Sequence, residues 1–184
     1  MTPSTLLQRW PSHIALVISL TVVLVGCSNV PRKYLRMAEP GVTLSELIAH
    51  PDTYRGKVVL LGGTIIEEEE SGPYLWLYVK NRPLDQDYMP HRPADMDGDE
   101  AGYYWVMIPK QQAPRSYRHW ARMTVVGQVT GSQRSATEPV LALLYVRGWG
   151  TNQAHNSVWE KSSDPNYVPS VPAGLGGEFK GGPQ

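Results

Sequence analysis

Three groups of side chains in this sequence have the type and spacing to do chemistry. The first is a single thiol, Cys27, standing directly after Leu24-Val25-Gly26. It is the chain's strongest nucleophile and its one site for thiol modification. The second is an acidic turn, with Asp95, Asp97 and Asp99 around Gly98 and Glu100 behind them. Several carboxylate oxygens on one tight turn suit a hard cation. The third is a set of rings: Tyr74, Trp76 and Tyr78 alternate along one short stretch, with Tyr103 and Trp105 further on. Such faces hold planar or sugar-like ligands by stacking.

Each group meets a competing reading. A calcium loop of the EF-hand type wants glycine at its sixth position and glutamate at its twelfth, and counting from Asp95 those places hold Glu100 and Val106. The triplet therefore reads as a solvated acidic turn, with weak calcium binding as the alternative. His50, His91, His119 and His155 include no pair at metal-ligand spacing and read as solvated or capping side chains. No Gly-rich phosphate loop or Gly-x-Ser-x-Gly elbow occurs, and Gly174-Leu175-Gly176-Gly177 has no strand before it. The chain thus offers no nucleophile, base and charge stabiliser together, and a non-enzyme without a bound cofactor or metal is expected. For the rings, a ligand face and a surface covered by the C-terminal segment or by a partner both stay open.

The elements that must position these groups begin with an apolar run from Ile14 to Val25, preceded by Arg9. That layout is an export signal, and it falls short of the roughly 20 apolar residues a bilayer span needs. The run closes on Leu24-Val25-Gly26-Cys27, which looks like a lipobox. The resemblance implies cleavage before Cys27 and covalent lipid on its sulfur, the one added group expected. Ser28 in place of aspartate implies outer membrane sorting under the enteric-type rule. Residues 1–26 are then a signal peptide, and 27–41, with Pro31, Pro40 and Gly41, a lipidated tether.

Removal of the signal leaves roughly 160 residues, enough for one domain with a real core. The 17 basic and 17 acidic residues balance, so nothing predicts a phosphate-backbone partner, and no nucleic acid is expected. With no second cysteine, burial and hydrogen bonds alone must hold an exported domain. Ten tyrosines and six tryptophans against one phenylalanine point to many half-exposed rings with a polar handle.

Thr43 and Glu46 have capping-box spacing, Leu44, Leu47 and Ile48 share a face, and Pro51 ends the helix, which is about two turns long. From Val58 the period changes. A strand interrupted at Gly62-Gly63 is followed by Tyr74–Lys80, whose Leu75, Leu77 and Val79 belong inside. Tyr103–Ile108, Arg122–Thr130 and Val140–Gly148 complete five strands, with Asn81–Gly102 a surface loop. The run Glu67–Glu70 reads as a charged strand end that blocks sheet-to-sheet pairing. Residues 42–149 form the domain and 150–184 a Pro/Gly-rich tail expected to be flexible, with Trp159 and Tyr167 able to touch the barrel.

At Pro51-Asp52-Thr53-Tyr54-Arg55-Gly56-Lys57-Val58, Arg82-Pro83-Leu84-Asp85, Arg92-Pro93 and Val125-Val126-Gly127-Gln128-Val129-Thr130-Gly131 the chain resembles the Slp family of outer membrane lipoproteins, from Cys27 to about residue 149. Ala121-Arg122 departs from the usual Gly-Arg pair. The resemblance implies a mainly β fold, a small five-stranded OB-like barrel with one short N-terminal helix. It also implies a lipid-anchored, periplasm-facing place in the outer membrane. The function expected is a non-catalytic structural or organising role in the cell envelope, with other envelope proteins or glycan as partners. The alternative is an OB-like module that captures a glycan, peptide or oligonucleotide on the strand face of Tyr74, Trp76, Tyr78 and Trp105.

Overall fold

The computed structural model describes residues 29–91, 101–111, 122–134, 137–149 and 158–170. Three short helices lead: α1 (Arg32–Met37), α2 (Leu44–Ala49) and α3 (Pro51–Tyr54). At the start of α2 the Glu46 N–H donates to Thr43 Oγ1 at 3.2 Å, and the Thr43 N–H donates to Glu46 Oε2 at 3.0 Å. That reciprocal cap satisfies two backbone donors the helix cannot pair itself. Pro51 has no N–H to continue α2 and instead opens α3, where that donor is not needed.

Six strands follow: β1 (Val58–Ser71), β2 (Tyr74–Asn81), β3 (Tyr103–Pro109), β4 (Arg122–Gln133), β5 (Pro139–Trp149) and β6 (Val158–Ser162). β1 pairs antiparallel with both β2 and β4, β2 with β3, and β4 with β5. Trp105–Met107 of β3 then run parallel to Val140–Ala142 of β5, which closes the circuit β1-β2-β3-β5-β4. This is a closed five-stranded Greek-key barrel of the OB kind. β6 adds antiparallel to the C-terminal half of β5, beyond the stretch that β3 occupies.

β1 is one unbroken strand that changes partner midway. Gly63 pairs with Met123 on one side and Asn81 on the other. A Cβ there would lie 2.7 Å from the Lys80 carbonyl oxygen, so glycine is what lets the sheet turn this corner. The bulge lies further on, between Ile65 and Glu67. Gly127 marks a second irregularity and a close approach. A register shift falls between Val126 and Gly127, and a Cβ at Gly127 would stand 2.8 Å from Leu141 Cβ.

Leu75, Leu77 and Val79 point inward as their alternation predicts, joining Val59, Leu61, Tyr104, Val106, Ile108, Met123, Val125, Leu141 and Val146 in the barrel core. Leu44 and Leu47 of α2 pack on the same core. A second layer lies outside the barrel, where Val30 and Tyr34 cover Val126 and Tyr145, with Leu60, Tyr88 and Tyr167 packed against them.

That outer layer changes three expectations. Among the described residues there are three helices where one is expected, α1 being stabilised by docking on the barrel rather than by length. Residues 29–41 of the expected tether pack on the domain: Val30 is 0% and Tyr34 2% exposed. In the tail 150–184, residues 158–162 form a strand, and 163–170 return across α1 through Lys33–Asp164 and Tyr34–Ser162 contacts. Alternation is short in Val158–Ser162, and pairing to β5 supplies what the local pattern does not.

Candidate functional site

Successive side chains of a strand face opposite ways, so burial of Leu75, Leu77 and Val79 turns Tyr74, Trp76 and Tyr78 outward. The β2–β3 register sets Trp105 opposite Tyr78 and Met107 opposite Trp76. The β1–β2 register sets Glu67 opposite Tyr78 and Glu69 opposite Trp76. The four rings picked from sequence therefore share one outer face, and Tyr103 joins them.

The rings are ordered against one another. Tyr78 is sandwiched between Tyr103, with centroids 5.0 Å apart, and Trp105, at 4.6 Å, both nearly parallel. Tyr74 meets Trp76 edge-on at 6.1 Å. The connection from β4 to β5 then lays two charges over them. The Arg134 guanidinium stands 4.6 Å from the Trp76 ring centre and 4.5 Å from that of Trp105, and donates to Glu69 at 2.7 Å. Glu138 accepts from the Tyr78 hydroxyl at 2.6 Å and from Trp105 Nε1 at 2.9 Å. Burial, and then the hydrogen bond to Glu138, push the Tyr78 phenol up to about 12. The Arg134 hydrogen bond holds the Glu69 carboxyl below its usual range.

The arrangement is a stacking surface with its polar handles already used by its own chain. Sequence reasoning found the rings through their alternation but missed Arg134 and Glu138. Those two flank a short loop whose residues carry no periodic signal. Among the described residues, what covers the rings is the β4–β5 connection.

Residues 158–170 are engaged elsewhere. Glu160, on β6, has a fully buried side chain. It accepts from Arg147 Nη1 at 2.5 Å, the Tyr167 hydroxyl at 2.7 Å, and the Ser170 N–H and hydroxyl at 2.9 and 2.8 Å. Burial pushes its carboxyl up, but the Tyr167 and Ser170 hydrogen bonds together with the Arg147 charge outweigh this and leave it below the ordinary value. Arg147 also donates to the Asn29 carbonyl at 2.9 Å, which ties both ends of the described chain to one buried carboxylate. A groove of about 450 Å³ opens beside this region, lined by Leu35, Pro40, Leu60, Leu84 and Tyr88.

Cys27 with Leu24, Val25 and Gly26 lies outside the described residues, as do Asp95, Asp97, Asp99, His119 and His155. Among the described residues no group of three or more His, Cys, Asp or Glu is placed to hold a metal ion. His50 joins α2 to α3, with its N–H donating to the Glu46 carbonyl at 2.9 Å. No helix among the described residues is long and apolar enough to cross a membrane.

Fold and surface together define a small barrel module whose interior is filled with side chains and whose outer faces carry the organised polar and aromatic groups. The Outer membrane lipoprotein Slp family model matches residues 24–173, and the chain belongs to that family. It is thus an outer membrane lipoprotein. The match runs past residue 149 and takes in β6 and the Glu160 cluster. A comparison with curated proteins returned no match.

Proposed function

We propose that this protein is a non-catalytic lipoprotein whose barrel serves as a rigid structural or organising module at the periplasmic side of the outer membrane, held there by acyl chains on Cys27. The observation that carries this reading is the packing of the barrel's own termini. Asn29, Val30 and Tyr34 dock at the start, Glu160, Tyr167 and Ser170 at the end, and the ring face is covered by Arg134 and Glu138. A chain so closed on itself is suited to hold a shape and present surfaces to neighbouring envelope proteins or glycan.

The anchor is tested by metabolic labelling with a fatty acid. Wild type should incorporate label and Cys27→Ala none; equal labelling of the two, or no label in wild type, would refute it. A single buried chain anchors marginally and two or more hold stably, so the mature product should carry at least two.

Ligand capture on the ring face is the second reading, and one observation favours it. Trp76 Nε1 is buried with no hydrogen-bond partner among the described residues, directly beneath the Arg134 cover. Arg134→Ala with Glu138→Ala uncovers the rings, and Trp76→Ala with Tyr78→Ala removes them. If the uncovered variant retains peptidoglycan fragments in a pull-down and the ringless one, still folded, does not, capture stands. Equal retention by both ends it.

A further inference from the structure

The anchor residue and the barrel are close in sequence, and the structure shows how little slack separates them. Asn29 is fixed twice: its carbonyl accepts from Arg147 Nη1 at 2.9 Å, and its side-chain amide donates to the Asp87 carbonyl at 3.1 Å. The next residue, Val30, is fully buried, and Tyr34 stacks on Tyr145 with ring centroids 4.8 Å apart. Cys27 precedes Asn29 by two residues, a reach of about 7 Å even fully extended. A lipid on that sulfur cannot leave the barrel swinging on a leash.

The surface nearest the anchor has the chemistry a phospholipid headgroup layer would meet. Arg32, Lys33, Arg36 and Met37 of α1 are all exposed, and at helical spacing they fall within an arc of about 140° whose centre lies about 130° round the helix from the docked Tyr34. Lys33 is met by Asp164. Arg32 and Arg36 have no ion pair among the described residues, and Met37 is 44% exposed. Cations beside an acyl anchor add to its hold on anionic lipid, and an exposed thioether side chain at the edge of their arc suits the headgroup boundary.

We infer that the α1 face of the barrel rests directly on the phospholipid headgroups of the membrane that takes up the Cys27 acyl chains, so that the domain is held in one orientation. The inference deepens the anchor reading above and rests on it. Its consequence is that the aromatic face and the α1 face, on different walls of the barrel, have different surroundings: one lipid, the other periplasm.

The test uses the full lipidated protein reconstituted in phosphatidylcholine vesicles containing phosphatidylglycerol, with a benzophenone amino acid at Met37 or, in a separate variant, at the exposed Ile66 of β1. On irradiation Met37 should form phospholipid adducts about tenfold more often than Ile66. A flexible ten-residue Gly/Ser insertion between Ser28 and Asn29 should reduce that preference several-fold. Arg32→Glu with Arg36→Glu should lower the Met37 yield about tenfold with phosphatidylglycerol present and far less in pure phosphatidylcholine. Mass spectrometry of the same samples separates the two layers of the claim. Acylated Cys27 with equal adduct yields at Met37 and Ile66 overturns the docked orientation and leaves the anchor standing. A mature chain without acyl groups overturns both.

Discussion

Glu160 accepts four hydrogen bonds from Arg147, Tyr167 and Ser170, and its environment makes two predictions. Removing the carboxylate in Glu160→Ala leaves Arg147 buried beside Asn29 with its charge uncompensated, which costs about 3–5 kcal/mol when a buried pair is broken from one side. Chemical denaturation should show that loss as a lower midpoint with little change in slope. The pH dependence has a definite sign. The folded carboxyl titrates below the unfolded one, so its contribution is complete above about 4.5 and is lost as pH falls through the folded value. Thermal midpoints of wild type should fall more steeply than those of Glu160→Gln as pH drops below 4.5. Parallel curves would show that the carboxylate is not what ties the termini together. At the ring face, Glu138→Gln removes an acceptor charge from Tyr78. Its phenol, held at about 12, should ionise at lower pH in an ultraviolet titration yet stay above its ordinary value, because burial, the larger cause, remains.

At the scale of elements, the helices are too short to stand alone and the strands too dependent on partners to be read singly. α2 illustrates what was legible. Thr43, Glu46 and Pro51 mark both of its ends, and Leu44 and Leu47 mark the face it buries. Leu47→Ala should cost about 2–5 kcal/mol, because α2 cannot move in to fill the space over a closed barrel. α1 shows what was not legible. Pro31 and scattered charges read as linker, and it is packing on Val126 and Tyr145, far along the chain, that makes Tyr34 a core residue. β1 falls between. Its glycines signalled a corner correctly, but the strand runs through them because two different neighbours supply pairing on either side of Gly63. Gly63→Ala must push the Lys80 carbonyl away, and soluble yield of that variant should drop sharply, while Gly56→Ala, with open space around it but a φ of +77°, should lose only about 1–2 kcal/mol and still fold.

For the whole molecule, closure of β3 onto β5 leaves the C-terminal half of β5 as an edge, and β6 covers it. A chain truncated after Trp149, where the sequence pattern places the end of the domain, would expose that edge and orphan Arg147 together. It should aggregate, whereas a chain truncated after Ser170 keeps every contact of Glu160 with the described residues and should match wild type in thermal midpoint. Size-exclusion chromatography of the two distinguishes these outcomes directly.

By itself the sequence determined the class of the barrel, its inward residues, the cap of α2, the alternation that gathers Tyr74, Trp76 and Tyr78, and the family to which the chain belongs. The inward residues, the cap and the alternation are written in local period and spacing, which a strand or a helix turn expresses without help; the barrel class is what the family resemblance implies. Only the tertiary structure decided that Arg134 and Glu138 cover those rings and that β6 completes the sheet. It alone brought Asn29 and Ser170 to the same buried pair. Each of those contacts joins residues far apart in the chain, and no local pattern encodes which distant side chain will arrive when the barrel closes.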